Sequence, residues 1–166
     1  MKDRIQLKAL AKINLGLDVL RRREDGYHEV KMIMQTIGLH DDLEIRRTKT
    51  PGIQVKTNLY YLPTNENNLV YKAAKLLMDE FDIQDGVSIQ LKKRIPVAAG
   101  MAGGSSDGAA VLWGINQMYD LGLSRQELMD RGVKLGADVP YCIQRGTALA
   151  EGIGEKLSVL PSMPKC

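Results

Sequence analysis

With 166 residues, 44% of them hydrophobic and 26% charged, the chain has the balance of one ordinary globular domain, and at this length a domain hides about 70% of its unfolded-chain surface. Its net charge of +3 is spread over short runs, Arg21 to Arg23, Arg46-Arg47 and Lys92 to Arg94, which read as solvated faces and give weak grounds for nucleic-acid binding. Two cysteines, Cys142 and Cys166, make neither a disulfide framework nor a metal set, the start is too polar for a signal peptide, and no apolar run reaches membrane-spanning length, so a cytoplasmic, membrane-free protein is expected.

In chain order, residues 5–10, 13–20, 30–39 and 43–47 read as strands, with Asp25-Gly26 and Asp41-Asp42 as turn signals. Residues 53–57 suggest a short edge strand. Asn68 is placed to cap a helix carrying Leu69, Val70, Ala73, Leu76, Leu77 and Phe81 on one face. Residues 87–95 alternate apolar and polar, the period of a half-buried strand. A helix from Asp107 through Met118 follows, then a shorter one capped by Ser124 and running through Leu135 to a stop at Gly136. Residues 141–150 and 155–160 read as strands again. The fold class is α+β, with a mostly antiparallel sheet and about three helices.

Between the strand at 87–95 and the helix after it lies Pro96-Val97-Ala98-Ala99-Gly100-Met101-Ala102-Gly103-Gly104-Ser105-Ser106. A strand-to-helix junction gathers free backbone N–H groups and the positive end of a helix dipole, and both attract an anion. The spacing excludes a dinucleotide G-x-G-x-x-G. It also excludes a Walker loop, because Ala109 stands where the lysine after Gly103 and Gly108 belongs. What is left is a phosphate cradle of unnamed type. Lys12 sits among apolar residues on an expected inner strand, where a lysine is costly unless paired with a carboxylate or an anionic ligand. Asn14, two residues on, shares its face. Asp138, just after a helix stop, is by default a turn or cap residue. Tyr27 and His28 would ordinarily be partly buried packing, and Cys142 a small core residue.

Three segments together resemble the GHMP kinases: Ala11-Lys12-Ile13-Asn14-Leu15 with Asp25-Gly26-Tyr27-His28; the glycine loop, which matches P-x-x-x-G-[LM]-x-G-[GS]-S-S; and Gly136-Ala137-Asp138-Val139-Pro140. Within that family the first segment points to the branch acting on 4-diphosphocytidyl-2-C-methyl-D-erythritol in non-mevalonate isoprenoid synthesis. The resemblance implies a fold like domain 2 of ribosomal protein S5, with helices on one side of the sheet. Residues 1–166 would be the family's N-terminal domain, binding ATP and substrate, with the C-terminal domain absent from this chain. It implies transfer of the γ-phosphate of ATP, with Mg²⁺, to a tertiary hydroxyl of a cytidine diphosphate conjugate. Asp138 would then accept the hydroxyl proton, with Lys12 beside it stabilising charge on the attacking oxygen. Pro96 to Ser106 would hold the phosphates, Ser106 would meet the metal, and Asn68 would lie near the adenine. Asn14 would bind substrate, with Tyr27 stacked on the cytosine and His28 bonded to its polar edge. Asp107 departs from the asparagine or small polar residue expected there and adds negative charge near the phosphates. The alternatives are a homoserine or mevalonate kinase of the same family, which Tyr27 and His28 disfavour because neither substrate carries a base, and an S5-like RNA-binding module using the arginine and lysine runs.

Overall fold

The computed structural model describes residues 1–163, and within them a six-stranded sheet is layered against four helices. Strand β1 (Arg4–Arg22) and strand β2 (His28–Thr48) form one long antiparallel hairpin across the Asp25-Gly26 turn. The two strands expected at 5–10 and 13–20 are therefore one, bent by register shifts between Leu10 and Lys12, Asn14 and Gly16, and Val19 and Arg21. The Asp41-Asp42 turn does not form. Asp41 is instead drawn fully inside, where its carboxylate accepts the N–H of Arg94 and of Ile95, and β2 runs on through it.

Strand β3 (Gly52–Thr57) lies parallel to β4 (Gly86–Lys92), with helix α1 (Leu69–Glu80) connecting them; every other pairing is antiparallel. The order is β3-β4-β2-β5-β6, with β1 on β2, β5 at Thr147–Gly152 and β6 at Lys156–Val159. The α+β class and the edge position of β3 are as expected. Strand β4 stops at Lys92, short of the expected Ile95, because Asn58 brackets Lys93: its Oδ1 accepts the Lys93 N–H at 2.7 Å and its Nδ2 donates to the Lys93 carbonyl at 3.2 Å.

Helix α2 (Gly103–Tyr119) begins four residues before Asp107, so the glycines and serines form its first turn. Helix α3 (Arg125–Gly132) opens with a capping box between Ser124 and Glu127. The clearest correction concerns residues 141–150. Val139–Gln144 is a helix, α4, with Pro140 in its first turn, and the strand begins only at Thr147. A short apolar run such as Val-Pro-Tyr-Cys-Ile has no period long enough to separate helix from strand.

The core lies between sheet and helices. Ile45, Val87, Ile89 and Leu91 meet Val70, Leu77, Leu112 and Ile115, with methionines filling where aromatics are scarce. Cys142 is buried among them, and burial pushes its thiol up to about 12; Cys166 lies outside the described residues. The sheet tolerates no side chain at Gly86, where a Cβ would fall 1.8 Å from the Thr50 carbonyl oxygen and 2.4 Å from the Thr48 hydroxyl. Gly86→Ala should therefore cost about 1–3 kcal/mol or more in urea unfolding, since main chain must move. A loss under about 0.5 kcal/mol would show that the β3–β4 entrance is softer than drawn.

Candidate active site

The loop before α2 has left-handed backbone at three alternating positions, Ala98 (φ 58°), Gly100 (φ 73°) and Ala102 (φ 55°). Two of these are alanines, for which that region is strained by about 1–3 kcal/mol each, and such strain persists where surrounding structure imposes it. Left-handed residues interleaved in this way turn successive N–H groups toward one side, making a concavity for an anion. The first N–H groups of α2 extend that surface.

This loop forms one wall of a cleft of about 550 Å³, a volume suited to a small ligand. Pro96 through Ser105 line it, together with Asn68, Lys12, Asn14 and Asp138. A larger groove of about 800 Å³ lies elsewhere, over Lys8, Glu44, Lys56 and Lys92, and contains none of these groups. The chemistry is concentrated in the smaller one.

Lys12 and Asp138 are brought together by a chain of contacts that the sequence does not announce. Lys12 pairs with Thr36 across the hairpin. The Thr36 hydroxyl meets the Tyr141 hydroxyl at 2.9 Å and accepts the Gly146 N–H at 3.0 Å, while Tyr141 donates to the Gly146 carbonyl at 2.6 Å. This closed triangle holds α4 against β2, and Asp138 stands at the N-terminus of α4. The result is Lys12 Nζ 4.0 Å from Asp138 Oδ2 and 3.1 Å from Asn14 Oδ1, to which it donates. Lys12 is 5% exposed, so its charge is answered from within the cleft.

Ser106 does not fit its expected role as the metal contact. It is buried, donates to the Leu10 carbonyl at 2.7 Å and does not line the cleft; the serine that does is Ser105. Asn68 lines the cleft, but both ends of its side chain are used: Oδ1 accepts the Val70 N–H at 2.9 Å as the cap of α1, and Nδ2 donates to the Pro63 carbonyl at 2.8 Å. Tyr27 and His28 lie outside the cleft, exposed at the hairpin tip. A path connects them to it. The β5–β6 turn places Gly154 beside Asp138, 3.8 Å from Oδ1 to the position of a Cβ, and Gly152 at its other end pairs with Val30, two residues from His28. Sequence reasoning missed this turn, although its spaced glycines signal one.

It also missed a buried cluster below the loop. Lys93 Nζ lies 2.5 Å from Asp41 and 2.8 Å from Asp107, and all three residues are nearly or fully buried. Burial, opposed by the nearby Lys93 charge, pushes the Asp107 carboxyl up to about 8. Much of the charge in the lysine and arginine runs is also answered: Arg94 pairs with Asp42, Arg21 with Glu29, and Arg23 with Asp25.

Residues 68–146 match the family described as the GHMP kinases N terminal domain. This chain carries a GHMP kinase N-terminal domain. A curated relative from Lachnoclostridium phytofermentans, named 4-diphosphocytidyl-2-C-methyl-D-erythritol kinase, is 62% identical over 99% of the chain and 56% of its own length. One of the same name from Lachnospira eligens is 58% identical, over 99% of the chain and 57% of its own. The chain thus spans about half the length of the curated relatives it matches. Among solved structures, a 4-(cytidine 5'-diphospho)-2C-methyl-D-erythritol kinase superposes with a TM-score of 0.81 at 38% identity, covering 94% of this chain and 55% of that one. A homoserine kinase from Cytophaga hutchinsonii, at 21% identity, shares the fold with a TM-score of 0.72 over 99% of this chain and 53% of its own. The GHMP domain has no helix, among the described residues, long and apolar enough to cross a membrane.

Proposed function

We propose that the protein transfers the γ-phosphate of ATP to the tertiary hydroxyl of 4-diphosphocytidyl-2-C-methyl-D-erythritol. The observation that carries this reading is the Lys12–Asp138 pair, which faces the alternating left-handed loop across one nucleotide-sized cleft. Phosphoryl transfer asks mainly for held phosphates, neutralised charge and an aimed nucleophile. The N–H groups of residues 98–104 hold the phosphates. Asp138, 31% exposed at the cleft mouth, takes the proton of the attacking hydroxyl as its oxygen bonds to phosphorus and the bond to ADP breaks. Lys12 sits where negative charge builds on that oxygen, and its bond to Asn14 fixes the ammonium.

The donor set suits a Mg²⁺ brought in on the phosphates. No group of three His, Cys, Asp or Glu among the described residues could cage a metal, and Mg²⁺ usually takes only one or two protein oxygens beside phosphate and water. Ser105 is the hydroxyl in place to hold it, where it would neutralise phosphate charge.

The cytidine end favours this substrate over homoserine or mevalonate, because the β5–β6 turn leads from Asp138 toward an exposed Tyr27 and a neighbouring His28. Tyr27→Ala should weaken the cytidine conjugate by about 1–3 kcal/mol, the loss typical of base–aromatic stacking, and leave ATP affinity alone. Equal losses for both ligands in calorimetry would assign Tyr27 to folding. The reading itself is tested by following ATP consumption with the cytidine conjugate, homoserine and mevalonate in parallel. Turnover confined to the first is expected; equal turnover of the other alcohols would overturn it.

A further inference from the structure

We propose that Lys93, Asp41 and Asp107 are positioning residues, a buried tether that holds the entry and exit of the glycine loop at a fixed separation. Asp41 Oδ1 accepts the N–H groups of Arg94 and Ile95, the last residues before Pro96, so it fixes where the chain enters the loop. Asp107, on the second turn of α2, fixes where the chain leaves it. Lys93 Nζ joins the two carboxyl groups. The join sits against the loop itself: a Cβ on Gly103 would lie 3.1 Å from Lys93 Nζ and 3.1 Å from Ile95 Cγ2. Entry, exit and first helical turn therefore share one ion cluster, which lines the cleft through Lys93 and Asp107.

Packing alone does not account for this arrangement. A buried ion cluster is often replaceable by apolar side chains without loss of stability, so its presence calls for a reason other than holding the fold. Asp107 Oδ1 is also buried without a hydrogen-bond partner, a cost that leucine at the same place would not incur. The tether supplies the reason. Alternating left-handed residues at 98, 100 and 102 are strained, and they keep that shape only if the ends of the loop are held.

This inference rests on the nucleotide reading of the cleft, and two variants separate the two. Asp107→Leu leaves Lys93 and Asp41 as a neutral pair, so the chain should fold with undiminished stability, but the link from Lys93 to α2 is gone. ATP affinity by calorimetry is expected to fall about tenfold or more, the loss of a charge-assisted hydrogen bond, with faster hydrogen exchange at the amides of residues 97–104. Asp107→Asn keeps an acceptor for Lys93 and should hold both quantities within about threefold of the parent. Unchanged affinity and exchange in folded Asp107→Leu would overturn the tether, and so would equal losses in both variants, which would place the effect in charge. Failure of the parent chain to bind ATP would count against the nucleotide reading instead. The exchange measurement, which needs no nucleotide, would still decide the tether.

Discussion

Asp138→Asn should lower phosphoryl transfer by about 10²–10⁴-fold, the usual contribution of a positioned general base, with ATP affinity unchanged. Asparagine has nearly the same shape, so the contacts with Lys12 at 4.0 Å and with the Gly154 turn are kept in outline. What is lost is the oxygen that takes the proton. Stability should move by less than about 0.5 kcal/mol, because the side chain is 31% exposed and makes only a long ion pair. A purified variant with near-parental turnover would remove Asp138 from the mechanism.

Gly103→Val should abolish measurable nucleotide binding, with the loss reaching the loop from beneath. The missing Cβ points toward Ile95 and Lys93, at 3.1 Å from each. A β-branched side chain there would push Lys93 off its carboxylates and lift the first turn of α2, at a cost of about 1–3 kcal/mol of overpacking before any ligand arrives. The comparison is Gly104→Ala. A methyl at that position meets nothing nearer than Leu69 Cδ1 at 3.9 Å, so the chain should stay as stable as its parent. Calorimetric titration with ATP separates the outcomes: parental affinity in Gly103→Val would mean that the loop rests on nothing below it.

Much of the site was legible in the sequence, and the illegible parts share a cause. The glycine loop stands out because its composition breaks two clear periodicities, and Lys12 because a charge in an apolar run demands an explanation. Asp138 gave only a turn signal, and its functional reading came from the family resemblance. Local pattern failed where a residue's partner is remote. Asp41 looked like a turn residue, yet it caps main chain more than fifty positions away. Lys93 looked like one of three solvated charges, and it is the buried member. Ser106 and Ser105 are indistinguishable in sequence, and only the proximity of the Leu10 carbonyl shows which of them turns inward. The run after Asp138 read as strand because six residues carry too little period to declare a helix.

The Ser106 bond has two companions along the free edge of β1. The Lys8 carbonyl accepts the Arg145 guanidinium at 3.2 Å, the Leu10 carbonyl accepts Ser106, and the Lys12 N–H donates to the Met101 carbonyl at 3.1 Å. An outermost strand normally offers such groups to any passing strand, which is how soluble proteins begin to stick to one another. Here three consecutive outward positions are already spoken for, by a helix, a loop and an arginine, so no foreign strand can zip onto this stretch. Two of these bonds, from Ser106 and to Met101, bolt the strand bearing Lys12 to the loop that would cradle the phosphates, so the two halves of the chemistry shift together or not at all.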